Sequence, residues 1–60
     1  MRYLVSVPMY RFDLGMVNWL NTNVSKQAVR WKVEIDIYER RAIFFKFEKD
    51  ALAFKKEFNL

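Results

Sequence analysis

The residues that could carry out chemistry in this 60-residue chain are few, because it contains neither His nor Cys. Soft metal sites, thiol nucleophiles and imidazole bases are therefore excluded by composition. The 7 acidic residues fall at no recognised ligand or acid-base spacing. Asp13 and Asp50 instead suit the first turns of predicted helices, and the lone Gly15 cannot build a phosphate-binding loop. We therefore expect a protein that is not an enzyme and uses no cofactor or metal.

Basic and aromatic residues give the stronger functional signal. The formal net charge is +4, and aromatic residues make up 18% of the chain. Cations neutralise phosphates and exposed rings stack on bases, so such residues can bind RNA or another single-stranded nucleic acid, or form a protein interface. The candidate contact residues are Arg30, Lys32, Tyr38, Arg40, Arg41, Phe44 and Lys46. The candidate interface residues are Trp19, Lys55 and Lys56, although Trp19 is also suited to pack at the margin of the core.

Two alternating segments position most of these residues. From Ala28 to Tyr38 every second residue is apolar, and from Ala42 to Glu48 the alternation continues on a second strand. The predicted core rows of the two strands are Val29, Trp31, Val33, Ile35 and Ile37, and Ile43, Phe45 and Phe47. The two strands should form an antiparallel hairpin.

The register of this hairpin can be predicted from its apolar rows and from charge pairs across the two strands. Pairing Tyr38 with Ala42 across the loop Glu39-Arg40-Arg41 sets Val33 opposite Phe47 and matches the apolar rows. The same register sets Glu34 opposite Lys46 and Lys32 opposite Glu48. The sheet face is then nearly balanced, and the excess charge lies in Arg40-Arg41 and Lys55-Lys56. That distribution favours a local anionic contact over an extended nucleic-acid track.

The remaining elements complete an α+β domain over residues 1–60. Tyr3, Val5 and Val7 predict an edge strand that ends at Pro8, and Asp13 caps a helix whose apolar stripe includes Met16 and Leu20. A second helix runs from about Lys49 to Asn59. The order β-α-β-β-α predicts a two-layer sandwich, with a three-stranded, largely antiparallel sheet and both helices on one face. It resembles a ferredoxin-like fold that stops before its final strand.

Small size has consequences for assembly. Hydrophobic residues make up 53% of the chain, and there is one Gly and one Pro, so it should fold. A domain of this length buries only about 60% of its unfolded surface. Without disulfides or a metal we expect a homodimer. We also expect a cytoplasmic protein without a membrane segment, because no apolar run is long enough and the N-terminus lacks a cleavage site.

The C-terminal half resembles the ending of many small proteins of tailed bacteriophages. The aromatic strand Ile43-Phe44-Phe45-Lys46-Phe47 is followed by Asp50-Ala51-Leu52-Ala53-Phe54-Lys55, and Trp19-Leu20-Asn21 stands upstream. The resemblance implies a phage accessory protein, active in the host cytoplasm, that binds and modulates or inhibits a host macromolecule. Such a target would be a host enzyme, a defence component or a toxin-antitoxin component. RNA binding and a structural, virion-associated role are the alternatives.

Overall fold

The computed structural model describes residues 1–35 and 38–60, and it confirms the predicted α+β sandwich. The elements are β1 (Tyr3–Pro8), a 3-10 turn (Met9–Arg11), α1 (Leu14–Asn23), β2 (Trp31–Ile35), β3 (Arg40–Phe45) and α2 (Glu48–Phe58). The central strand is β3, which is antiparallel to both neighbours, so β1 and β2 run parallel to each other at the two edges. The predictions for Asp36 and Ile37 lie outside the described residues.

The core lies between one face of the sheet and the two helices. Strand alternation directs one set of side chains to that face, and each helix contributes its apolar stripe. Phe54 of α2 is fully buried, and its ring centroid lies 5.6 Å from that of Phe45 and 5.0 Å from that of Phe58. The buried apolar residues are Val5, Val7, Met16, Leu20, Val24, Trp31, Ile43, Phe45, Ala51 and Phe54.

The ends of the helices are held by local hydrogen bonds. The Asp13 carboxylate accepts from the Met16 backbone N–H at 3.1 Å, which confirms the predicted N-cap of α1. At the other end of the domain, α2 stops where Asn59 adopts a left-handed conformation with φ 56°. The Arg11 guanidinium donates to the Phe58 carbonyl at 2.7 Å, so it occupies one of the carbonyls that the helix leaves unpaired.

The predicted hairpin register was wrong. Val33 lies opposite Ile43 instead of Phe47, a slip of four residues along β3. An even slip keeps Trp31, Val33, Ile43 and Phe45 on their predicted face. The predicted core position of Ile35 is wrong, because Ile35 lies opposite Arg41 and is 77% exposed. The weak cross-strand charge pairs did not decide the register. Arg40 and Arg41 belong to β3, where they pair with Pro8 and Val7 of β1, and the turn comes before them with Glu39 at φ 58°.

Both hairpin strands are shorter than predicted. Ala28 has φ 73° and its N–H donates to the Trp31 carbonyl at 2.7 Å, so a turn precedes β2 and leaves Val29 59% exposed outside the core. Phe47 lies beyond β3 and occupies the N-cap position of α2. The acidic first turn of α2, with Glu48 and Asp50, starts the helix one residue after Phe47. Neither described helix has the length and apolar character that crossing a bilayer would require.

Candidate functional site

The face of the sheet opposite the helices is the broad open surface of the domain. Because the buried strand residues Val5, Val7, Trp31, Ile43 and Phe45 are all odd-numbered, the even-numbered residues point to this other side. We call this surface the helix-free face. Its residues are Leu4 and Ser6 of β1, Arg40, Ala42 and Phe44 of β3, and Lys32 and Glu34 of β2.

An apolar row crosses the centre of the helix-free face. Leu4 and Lys32 lie directly opposite Phe44, one on each side of it. Leu4 is 56% exposed, and the Phe44 ring is half-buried with the Lys32 ammonium 5.5 Å from its centroid. Ala42 continues the apolar surface along β3. The centre can therefore receive either an apolar side chain or a stacked base.

Among the residues of this face that the structure describes, cations outnumber carboxylates. The slip in register sets Glu34 opposite Ala42 and Lys32 opposite Phe44, so the predicted neutralising pairs do not form. Lys32 contacts Glu34 along its own strand at 3.2 Å, and Arg40 donates to the Ser6 hydroxyl at 2.6 Å. Lys46 follows β3 by one residue and continues the same alternation. The described part of the helix-free face thus differs from the prediction in that Arg40 belongs to it and Glu48 belongs to α2.

Three cations surround one exposed ring at the end of the sheet. The Phe47 side chain is 42% exposed. Its ring centroid lies 5.4 Å from the Arg30 guanidinium carbon, 5.6 Å from the Lys46 ammonium and 5.9 Å from the Lys49 ammonium. Distances within about 6 Å allow attraction between a cation and the face of a ring. We call these four residues the Phe47 cluster, and a base stacked there would have cations close to its phosphates.

Arg30 has a structural role within this cluster. Its guanidinium donates to both Asp50 oxygens, with contacts at 2.8, 2.8 and 3.1 Å, and to the Val24 carbonyl at 3.2 Å. Asp50 is buried, so the pair joins the segment before β2 to the first turn of α2. The Arg30 N–H also donates to the Ser25 hydroxyl at 2.9 Å. Arg30 therefore contributes less free charge to a ligand than Lys46 or Lys49.

The structure separates the other candidate residues. Arg41 lies on the helix side between Val7 and Ile35, so Arg40 and Arg41 lie on opposite faces. The Nη1 of Arg41 is buried and has no hydrogen-bond partner among the described residues. Tyr38 is exposed in the turn before β3. Lys55 and Lys56 are exposed on α2. The Trp19 ring packs 5.9 Å from the rings of both Phe54 and Phe58 and is half-buried.

Three contributors to the site were missed from the sequence. The sequence pattern predicts only an edge strand around Leu4, a core position for Phe47 and the start of a helix at Lys49. The carboxylates of Glu48 and Asp50 were the available signal, because an acidic first turn places Phe47 at a helix cap and not inside a strand.

Residues 1–35 and 38–60 form no pocket, and no three acidic side chains among them gather as a metal site would require. No protein-family model matches the chain, and the comparisons with curated proteins and with solved structures gave no match either. The resemblance to small phage proteins therefore stays a prediction, and the functional argument depends on the surface alone.

Proposed function

We propose that this protein is a non-enzymatic accessory protein of phage type that binds a host macromolecule through the helix-free face and the Phe47 cluster. Single-stranded nucleic acid, RNA in particular, is the ligand that the surface suits best. The observation that carries this proposal is the arrangement of two rings, Phe44 and Phe47, with ammonium groups from Lys32, Lys46 and Lys49 within 5.5 to 5.9 Å of their centroids.

The arrangement suits single strands more than duplexes. Bases of a single strand are free to stack on aromatic rings, and stacking tolerates any base because each has a π-face. Lys32 lies beside Phe44 on β2, and Lys46 lies two residues further along the chain just past β3, so cations are close to the phosphates that would flank a stacked base. The predicted pairs of Glu34 with Lys46 and of Lys32 with Glu48, which disfavoured a nucleic-acid surface, require a register between β2 and β3 that differs from the observed one.

Fluorescence anisotropy with a labelled oligouridine of about 12 nucleotides tests this proposal, at several salt concentrations. We expect the association constant to fall steeply with salt, because bound phosphates release counterions. Phe44→Leu keeps an apolar side chain but removes the ring, and it should weaken binding about tenfold. Lys46→Gln should weaken binding and also reduce the dependence on salt.

Lys56→Gln is the matched control for Lys46→Gln. Both variants remove one exposed Lys charge, but Lys56 lies on α2 and outside the proposed surface. We expect Lys56→Gln to change the affinity less than twofold. Equal losses from the two lysine variants would refute a defined site and leave only a general effect of net charge. No measurable binding at low salt would refute the nucleic-acid proposal.

An acidic host protein is the second candidate ligand, and the exposure of Leu4 favours it. An aliphatic side chain that is 56% exposed beside Phe44 offers an apolar contact that bases do not need. Capture from a bacterial lysate that has been treated with nuclease separates the two candidates. A protein partner should survive this treatment and be lost with Leu4→Glu, whereas Leu52→Glu on α2 should retain it. Leu52 is exposed to a similar degree, so it controls for the added charge.

We further propose that the protein acts as a homodimer in the host cytoplasm. The apolar core of this 60-residue domain is small, and the sheet has an edge strand at each side. Sedimentation at micromolar concentration should give twice the monomer mass of 7.4 kDa. A well-folded monomer at that concentration would refute the homodimer while leaving the ligand proposal open to its own test.

A further inference from the structure

The free edge of β1 exposes backbone groups that a further strand could bind. The Met9 N–H donates to the Glu39 carbonyl at 3.2 Å, which continues the ladder between β1 and β3. Because hydrogen-bonded positions alternate along an antiparallel strand, Tyr3, Val5 and Val7 direct their backbone groups toward β3. Leu4 and Ser6 consequently direct their N–H and carbonyl groups away from the sheet.

This edge lacks the charges that commonly protect an edge strand. All residues from Tyr3 to Pro8 are uncharged, whereas natural edge strands often carry Lys, other charges or bulges that discourage pairing. The opposite edge differs, because β2 carries the ion pair Lys32–Glu34, and the segment before β2 already pairs with this edge through a parallel bridge between Gln27 and Trp31. Pairing is therefore favoured at β1.

We infer that β1 pairs with β1 of a second copy, antiparallel and centred on Val5. This inference specifies the homodimer proposed above and does not depend on the ligand. In this register Leu4 faces Ser6 of the second copy, and Arg2 faces Pro8. Pro8 has no N–H to donate, but its carbonyl can accept from the Arg2 N–H. Each pair of Pro8 and Arg2 at the end of the ladder therefore lacks only one backbone hydrogen bond. The two strands would exchange about six backbone hydrogen bonds.

Side chains also suit this register. On the helix-free side, the exposed and uncharged Leu4 and Ser6 side chains of the two copies lie opposite each other, so the pairing brings no like charges together. The Arg40 guanidinium already donates to the Ser6 carbonyl at 3.3 Å, and that oxygen has a second lone pair for the incoming strand. A six-stranded sheet results, with the two helix-free faces on the same side. Its basic surface would extend from Lys46 and Arg2 of one copy to Arg40 of the other.

Cysteine cross-linking tests the register directly, because the chain contains no cysteine of its own. Leu4 and Ser6 are both exposed, and facing residues at a hydrogen-bonded position lie about 5.5 Å apart between Cα atoms, within reach of a disulfide. A mixture of Leu4→Cys and Ser6→Cys proteins should form the mixed disulfide under mild oxidation, measured by intact mass. Each variant alone should cross-link at least tenfold less.

A second variant tests the edge without introducing a cross-link. Ser6→Pro removes an N–H that points away from β3, so the monomer should keep its circular dichroism spectrum while the dimer weakens at least tenfold by sedimentation. Val7→Pro is the matched control, because it removes an N–H that bonds to β3 and should unfold the domain.

The outcomes separate this inference from the broader proposal. A dimer that gives no mixed disulfide and survives Ser6→Pro would overturn pairing at β1 but not dimerisation. Disulfides from either variant alone, at the level of the mixture, would overturn the register centred on Val5. A folded monomer of the unchanged protein would overturn the homodimer and this inference together, and nucleic-acid binding would still be measured independently.

Discussion

Replacing Arg30 by Met should destabilise the domain more than any other change of a single cation on the candidate surface. Met keeps much of the aliphatic volume of Arg but removes the guanidinium that makes three contacts of 2.8 to 3.1 Å with the Asp50 carboxylate. Asp50 is only 6% exposed, so without the guanidinium its carboxylate charge would be buried where water cannot fully solvate it.

The expected cost follows from the burial of the two partners. Breaking a buried ion pair by removing one partner costs about 3–5 kcal/mol. Because 31% of the Arg30 side chain is exposed, we expect about 2–3 kcal/mol instead. A domain of 60 residues has a total stability of about 3–9 kcal/mol, so Tm should fall by about 10–20 °C. Asp50→Asn keeps an acceptor for Arg30 and removes the buried charge, so it should cost only about 1 kcal/mol.

Urea unfolding measures these differences, followed by circular dichroism and by fluorescence of the fully buried Trp31. Lys46→Met is the control, because it removes another cation near the Phe47 ring, 5.6 Å from its centroid. It should change the free energy of unfolding by less than about 0.5 kcal/mol. If Asp50→Asn cost more than Arg30→Met, or if Arg30→Met matched Lys46→Met, the structural role of Arg30 would be refuted.

Three further predictions concern the folding of the domain, each measured by chemical denaturation. Asp13→Ala should cost about 0.5–2 kcal/mol, because the cap on the Met16 N–H is lost; no loss would contradict the cap. Gly15→Ala should stabilise by up to about 1 kcal/mol only when Asp13 is also replaced by Ala. When Asp13 is present, the new Cβ at position 15 would lie 3.2 Å from the Asp13 Oδ1 and crowd it. If the free-energy changes of the two substitutions were simply additive, this crowding would be refuted. Ile43→Ala should cost about 2–5 kcal/mol and the exposed Val29→Ala less than about 0.5 kcal/mol, and similar costs would contradict their placement.

The element order could be predicted from the sequence because each element has a strong local signal. Asp13 marks the start of α1, Pro8 ends β1, and the alternation through Trp31 and Val33 defines β2. These signals depend on contacts between residues a few positions apart. The elements can therefore be predicted without knowing which distant residues they pack against.

The limits of the strands could not be predicted in the same way. The alternation at Val29 and Phe47 continues past the point where each strand ends. What ends them is the positive φ of Ala28 in one case and the first turn of α2 in the other. Ala has no intrinsic preference for a left-handed conformation, so only the surrounding hydrogen bonds, such as that from its N–H to the Trp31 carbonyl, account for it.

The register between β2 and β3 affects the candidate surface more than it affects the fold. Burial restricts strand pairing only to steps of two residues, because any even slip keeps the same side chains in the core. The same slip changes every partner on the exposed face, and here it moves Lys46 away from Glu34 and sets Lys32 over Phe44. The alternation of apolar core residues can therefore predict the correct fold even where the charge pairs predicted for the exposed face are wrong. For a surface whose proposed ligand is a polyanion, those pairs matter because they determine which carboxylate lies next to each cation, and the observed register moves Lys46 away from the carboxylate of Glu34.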